Sequence, residues 1–367
     1  MTQQLLREWP PGFGGVERVA HELATVWAGT VYSLNAQPKL RLVPDPLLVT
    51  YPRQRLPRFQ MGRLILLYPS LELFRLLCSQ KPLHGHLPSP AVLLTLMLAR
   101  LIRPKRKVTA HWHCFLERSP GISGRLFGLY QRLALVLIPY LSGVVTTSPV
   151  LKQELVRCGC QADRVAVLPC CLSDDQEQST ALMPLRQALP GAPIRLIFIG
   201  RLDSYKRLDW LLLALSELRS PWQLVVVGDG PLRASFEALA NRLVFAADGV
   251  VSFRGRLDEA SKRQCLAEAE LLVLPSDRSN EAFGIVQLEA MAAGLPSLAF
   301  DRSRSGMGWV GQLPGLPWSQ QPDDLHAVLQ RLADNTELRD LLGQQALERY
   351  QTFFARSVWL ERLHALG

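Results

Sequence analysis

The 367-residue chain lacks any apolar run approaching the roughly 20 residues a helix needs to cross a bilayer. Its longest such stretches, 91–99 and 133–140, fall well short. Residues 1–10 carry Arg7 and Glu8 and no long apolar run behind a basic cap, so a secretory signal is not expected. The seven cysteines lack the even, regular spacing of a disulfide framework. Cys158-Gly-Cys160 and Cys170-Cys171 are also tighter than the usual spacing of zinc ligands. They are read as reduced thiols of a cytoplasmic protein. A dinucleotide-dependent oxidoreductase needs a Gly-x-Gly-x-x-Gly turn after a strand, which Gly12-Phe-Gly-Gly15 does not supply. Aromatic residues make up only 8%, and no aromatic-studded basic sheet or helix-turn-helix pattern supports nucleic-acid binding. What is present is a 48% hydrophobic composition, which excludes disorder and suffices for two full cores.

Charge is unevenly spread. Residues 1–178 hold 21 Lys and Arg against 11 Asp and Glu, a net of +10, whereas 179–367 hold 20 against 21, a net of −1. Arg53, Arg55, Arg58 and Arg63 form one basic cluster; Arg100, Arg103, Lys105, Arg106 and Lys107 form another. Such patches attract phosphates or an anionic membrane surface.

The second half reads as alternating strands and helices. Short apolar runs at 194–200, 222–228, 250–253, 271–275 and 295–300 have the pattern of strands buried on both faces, with helical spacing between them. The first half repeats the plan less clearly, and Leu5-Leu6, followed at once by Arg7, Glu8 and Trp9, makes a poor central strand. The polar, proline-punctuated stretch 173–193 reads as a linker. The expected architecture is α/β, with two Rossmann-like domains facing across a cleft, the first over 1–175 and the second over 176–350, and a helix over 351–367 returning to the first domain. Ligands of such sheets bind outside the carboxyl ends of the strands.

Three constellations fall at strand ends. Glu281-Ala-Phe-Gly-Ile-Val-Gln-Leu-Glu289 follows a buried strand and leads into a helix. Glu281 is placed in the cleft, the amides of Phe283, Gly284 and Ile285 are free to meet an anion, and Glu289 two turns on can grip vicinal hydroxyls. Gly200-Arg-Leu-Asp-Ser-Tyr-Lys206 puts Arg201 and Lys206 at the same edge, where two cations can neutralise a diphosphate without a metal ion. Gly14-Gly15 opens the first helix and allows close backbone approach to phosphate. Gly228-Asp-Gly230 is a further strand-end turn. His84-Gly-His86 and His111-Trp-His113 each place two imidazoles on one strand face, but no carboxylates cluster near them in sequence, so a metal site is not expected.

Together these motifs resemble the retaining glycosyltransferases of family 4, which have the GT-B fold. The resemblance runs through Gly14-Gly15-Val16-Glu17-Arg18, Thr109-Ala110-His111, Thr147 to Lys152, Gly200-Arg201 with Lys206, Gly228 to Leu232, Phe253-Arg254-Gly255, and Glu281 to Ala290. The last is similar to the family's paired-glutamate signature. The resemblance implies a hexosyl transfer from a nucleotide sugar to an acceptor hydroxyl, in polysaccharide, lipopolysaccharide or glycolipid synthesis. Arg201 and Lys206 would bind the diphosphate, Glu289 the ribose, and Glu281 the donor sugar. Gly15 would approach the phosphates, His111 would sit by the reacting carbon, and Arg254 and Arg256 would lie near the base. No cofactor is implied. The partners expected are the donor, a glycan or lipid-linked acceptor, and an anionic membrane through the basic first half, on the inner face of the plasma membrane. Two departures stand out. Cys170-Cys171-Leu172 replaces a Gly-Val-Asp-like tripeptide, and Arg207 stands where the family usually has Gly. The alternative reading is a nucleotide-sugar-binding or scaffold protein without turnover.

Overall fold

The computed structural model describes residues 1–11, 14–36, 49–61, 64–117, 121–183 and 191–366. These form two compact units, Met1–Cys170 and Cys171–Ala365.

The first unit is built on a seven-stranded, wholly parallel sheet. In chain order its elements are β1 (Gln3–Leu6), α1 (Gly15–Trp27), β2 (Val31–Ser33), β3 (Arg53–Arg55), an antiparallel hairpin of β4 (Arg58–Met61) and β5 (Leu64–Leu67), and α2 (Leu71–Cys78). Then follow β6 (Leu83–Leu87), α3 (Pro90–Ile102), β7 (Val108–Trp112), α4 (Ile122–Leu137), β8 (Gly143–Thr146), α5 (Pro149–Arg157) and β9 (Val165–Val167). The strand order is β3-β2-β1-β6-β7-β8-β9, so the chain changes direction between β1 and β6.

The strand that reads worst in sequence therefore lies inside the sheet. All four residues of β1 are buried, and its two glutamines are satisfied internally. Gln3 Oε1 accepts from Arg106 at 2.9 Å, Gln4 Oε1 meets His86 Nε2 at 2.9 Å, and Gln4 Nε2 donates to the Ala20 carbonyl at 3.1 Å. A buried polar group costs little once paired, and that lets two glutamines occupy a central strand.

The same contacts revise the basic clusters. Arg106 is buried, and its guanidinium donates to the carbonyls of Lys81 and Leu76 as well as to Gln3, so it holds α2 against the sheet and does not face solvent. Arg53 donates to the Pro10 carbonyl and Arg58 to the Asn35 carbonyl. Arg63 lies outside the described residues.

The second unit carries a five-stranded parallel sheet in the order β12-β11-β10-β13-β14. It comprises α6 (Asp174–Ala181), β10 (Ile194–Ile199), α7 (Leu208–Ser216), β11 (Trp222–Val227), α8 (Arg233–Arg242), β12 (Gly249–Gly255), α9 (Glu259–Glu268), β13 (Leu271–Leu274), α10 (Val286–Ala292), β14 (Ser297–Ala299), α11 (Met307–Val310), α12 (Leu325–Asp334), α13 (Thr336–Phe353) and α14 (Arg356–Ala365). All five strands read from the apolar runs are present. The stretch read as a linker instead begins with a helix, α6, opened by a capping box between Ser173 and Gln176. Residues 351–365, set apart in sequence as returning to the first domain, cluster with the second unit. There Arg356 pairs with Asp174 at 2.8 Å and donates to the Leu172 carbonyl, and both Tyr350 Oη and the Arg356 amide donate to Glu177. None of the seven cysteines is held in a disulfide.

Candidate active site

In the second unit the chain leaves β10 toward β11 and β12 on one side, and adds β13 and β14 on the other. The carboxyl ends of β10 and β13 therefore form the topological switch point, where an α/β sheet leaves a crevice. Gly200 and Arg201 follow β10, and the segment containing Glu281 follows β13. One tight turn, Ser204–Lys206, is started by Asp203, whose carboxylate accepts from the Ser204 amide at 2.7 Å. That turn folds Lys206 back toward β10. Its Cε and Nζ lie 3.4 Å from where a Cβ on Gly200 would be, so the glycine leaves room for the cation. Lys206 Nζ forms an ion pair with Glu281 Oε2, with both side chains largely shielded from water. Burial alone would lower the lysine pKa; the Glu281 carboxylate outweighs it, and the ammonium titrates above its ordinary value. Arg201 stays mostly exposed, 3.6 Å from Asp203.

The Glu281 loop is fixed from below. Gly284 is left-handed, at φ +72°, and a Cβ there would press on Leu274 Cδ2 at 2.6 Å. Gln287, fully buried, donates to the carbonyls of Phe283 at 2.8 Å and Met307 at 3.1 Å, and accepts from Ser297 Oγ at 2.9 Å. Phe283 stacks edge-on against Phe354, which meets Trp309 in the same way. The expected helix start is displaced. Helix α10 begins only at Val286 and runs seven residues, so Phe283, Gly284 and Ile285 belong to the turn before it.

Glu289 is buried on α10 and pairs with Lys262 of α9 at 2.8 Å. Lys262 also reaches Glu259, at 2.9 Å. Three of the predicted residues thus arrive in two cation–carboxylate pairs, Lys206 with Glu281, and Glu289 with the unpredicted Lys262. Sequence reasoning missed Lys262 because Glu259 and Lys262, three apart, read as an ordinary solvated helix pair. Gln287 was missed as well, since nothing local marks a helix glutamine as a loop clamp.

Gly228 sits at φ +131°, and its amide donates to the Gly255 carbonyl at 2.7 Å. A Cβ there would overlap the Gly200 carbonyl, so three strand-end backbones meet without side chains between them. Arg254 is exposed at the next-to-last position of β12, and Arg256 is exposed beyond it.

Arg207 explains its own departure from the family pattern. It is left-handed, at φ +48°, a conformation that favours glycine. Its side chain offsets the strain by pairing with Asp209 at 2.9 Å and lying over the Trp210 ring at 3.9 Å. Left-handed backbone costs a side-chain-bearing residue about 1–2 kcal/mol. Arg207→Ala keeps that strain and loses the contacts, whereas Arg207→Gly loses both. In urea denaturation, Arg207→Gly should prove more stable than Arg207→Ala by about 1 kcal/mol.

In the first unit, Gly14 and Gly15 are exposed, Gly14 capping α1 and Gly15 starting it. The Glu17 carboxyl folds back into the space a Cβ on Gly14 would occupy. Burial pushes the Glu17 pKa up to about 7, with nearby Glu8 adding to the shift and a local backbone hydrogen bond and Arg7 opposing it. An acid whose folded pKa is raised favours folding below its unfolded value, and that contribution is lost as pH climbs through the folded one. Glu17→Gln should therefore be nearly neutral at pH 4. By pH 8 it should gain up to about 3 kcal/mol over the parent, read as a widening gap between thermal-unfolding curves.

His84 and His86 on β6, His111 on β7 and His113 just beyond that strand are all buried. His86 Nδ1 meets His113 Nε2 at 2.9 Å, His84 Nδ1 meets Thr109 Oγ1 at 2.8 Å, and the rings of His111 and His113 stack at 4.2 Å. Burial lowers every one of these pKa values, that of His84 to about 3, so the cluster is uncharged at neutral pH. His84, His86 and His111 bring ring nitrogens within 4.8 Å of one another, the donor set a metal ion would use. His111 Nε2 has no hydrogen-bond partner.

Fold and site together define an α/β protein whose second unit suits a ligand carrying both negative charge and hydroxyls. Residues 13–176 match the family described as Glycosyltransferase Family 4, and residues 193–335 match Glycosyl transferases group 1. Between them the two matches span most of the chain, which carries one domain of each of these glycosyltransferase families. The chain is 31% identical over 163 residues to D-rhamnosyltransferase WbpZ of Pseudomonas aeruginosa, a match covering 43% of this chain and 41% of that protein. It is 32% identical over 198 residues to a D-inositol 3-phosphate glycosyltransferase of Nocardioides sp., covering 48% and 42%. The chain thus spans less than half the length of these curated relatives. Among solved structures, Anabaena Alr3699/HepE in complex with UDP and glucose superposes with a TM-score of 0.71 at 16% identity, over 99% of this chain and 98% of that one. The lipopolysaccharide outer core galactosyltransferase WaaB superposes at 0.70 and 18% identity, with the same coverage. The fold is that of the GT-B glycosyltransferases.

Proposed function

We propose that the protein transfers a hexosyl group from a nucleotide sugar to an acceptor hydroxyl, with retention of anomeric configuration, in the assembly of a lipopolysaccharide, polysaccharide or glycolipid at the cytoplasmic face of a membrane. The reading rests chiefly on the shielded Lys206–Glu281 pair at the switch point of the second sheet. A shielded ammonium beside an exposed guanidinium suits a diphosphate. Arg201 and Lys206 hold its oxygens, Glu281 takes hydroxyls of the donor sugar, and Glu289 takes those of the ribose. The bond between the anomeric carbon and the β-phosphate oxygen breaks, the acceptor oxygen bonds to that carbon, and the acceptor proton passes to the departing phosphate. Glu281 is not the nucleophile. Charge builds on the leaving phosphate, and preorganised cations stabilise it as it develops. Because Arg201 and Lys206 supply that neutralisation, activity should survive chelation of divalent ions.

The test is a thermal-shift screen against UDP-, GDP- and ADP-sugars, followed by product analysis with the donor that stabilises most. An axial donor linkage should give an axial product by proton NMR, and Glu281→Ala should abolish product formation. A donor that stabilises the chain but is never turned over would favour the binding-protein alternative.

A further inference from the structure

The first unit exposes large apolar side chains on adjoining elements. Helix α4 turns Leu126, Leu129, Leu133 and Val136 to solvent, each more than half exposed. Their spacing of three and four residues makes one continuous stripe, while Ala134 and Ile138 face inward. The neighbouring α3 exposes Leu94, Leu98 and Leu101, and α2 exposes Leu71 and Phe74. Between β5, α2 and α3 lies an apolar groove of about 520 Å³, lined by Leu66, Leu73, Phe74, Leu77, Leu94 and Leu98 among others. So broad an apolar face on a water-soluble surface marks a docking site.

Charge says what docks. Neither α3 nor α4 contains an acidic residue. Arg125 and Arg132 are exposed beside the stripe of α4, and Arg103 and Lys105 are exposed just beyond α3. Apolar side chains interleaved with cations suit an anionic lipid interface, where the former enter the acyl boundary and the latter meet the headgroups. Among the described residues no helix is long and apolar enough to cross a membrane. We propose that the α2–α3–α4 face seats on an anionic phospholipid bilayer, with one lipid hydrocarbon chain entering the groove between β5, α2 and α3. The inference deepens the proposed function: it makes the acceptor a hydroxyl borne on a lipid at that surface. Arg103 and Lys105 of the second basic cluster thus border a face built mainly of leucine.

The test is flotation of the full chain with phosphatidylcholine vesicles, with and without phosphatidylglycerol, and without any nucleotide sugar, so failure of donor binding leaves the readout untouched. Wild type should float with the anionic vesicles. Leu129→Asp with Val136→Asp should lower partition at least about tenfold, and Arg125→Glu with Arg132→Glu roughly fivefold per position. All four side chains are exposed, and unchanged circular-dichroism melting will show that the variants fold. A phosphatidylglycerol with a photoactivatable acyl chain should label peptides from 65–77 and 90–98. The proposal is overturned if wild type stays with the aqueous fraction at every composition, or if the variants float like wild type. Labelling confined to other segments would equally overturn it, as would sedimentation showing that the face joins two copies of the chain.

Discussion

Lys206→Met should lower kcat by about 10²–10³ while leaving the fold intact, because a preorganised cation facing a leaving phosphate typically carries that much of the rate. The substitution keeps the apolar stem and removes only the charge. It also leaves Glu281 largely shielded and unpaired, and breaking a buried pair can cost about 3–5 kcal/mol. Because the Glu281 side chain keeps some contact with water, the lower end applies. The structural and chemical effects separate in a double variant. Lys206→Met with Glu281→Gln removes the stranded carboxylate, so denaturation should show most of the stability restored. Activity should stay as low as in either single variant. Recovery of turnover in the double variant would mean that the pair is architectural only. Lys206 titrates above its ordinary value, so the wild-type pH profile should show no falling lysine limb below about pH 10.

Gly228→Ala should be the most destabilising methyl addition in the second unit, costing about 3 kcal/mol or more. Two independent penalties coincide there. The backbone lies at φ +131°, and the added carbon would overlap the Gly200 carbonyl oxygen. Gly159 provides the control. It is also left-handed, at φ +104°, but a Cβ there would meet nothing within 4 Å. Gly159→Ala should therefore cost only the conformational strain, about 1 kcal/mol. Chemical denaturation of the two variants against the parent measures the difference directly. Gly228→Ala should further depress activity in whatever fraction stays folded, since the displaced Gly200 carries Arg201.

Legibility followed burial and pairing. The strands of the second unit stand out in sequence because a parallel strand covered on both faces is a short unbroken apolar run, as in Ile194–Ile199. The same rule hides β1, whose Gln3 and Gln4 are apolar in effect only once Arg106, His86 and Ala20 meet them from distant segments. It hides β3 and β4 too, whose arginines clamp carbonyls from other loops. Helix α6 was overlooked although its Ser173–Gln176 capping box is written in the sequence, because its composition has no apolar stripe. The meeting of Lys206 with Glu281 was legible because both segments follow buried strands at one sheet edge. Lys262 and Gln287 were not legible, because their roles depend on which helix faces which. Arg207 shows a mismatch whose resolution is tertiary: the glycine-like backbone persists, held by Asp209 and Trp210.

Phe354 directly follows α13, well beyond the Glu281 loop in sequence, yet it is the platform on which Phe283 rests. A nascent polypeptide halted before α13 would already contain every proposed donor-contacting residue, but its Glu281 loop would have no floor. Order in the Glu281 loop should thus wait on synthesis through Phe354, some way past the last residue proposed to touch the ligand.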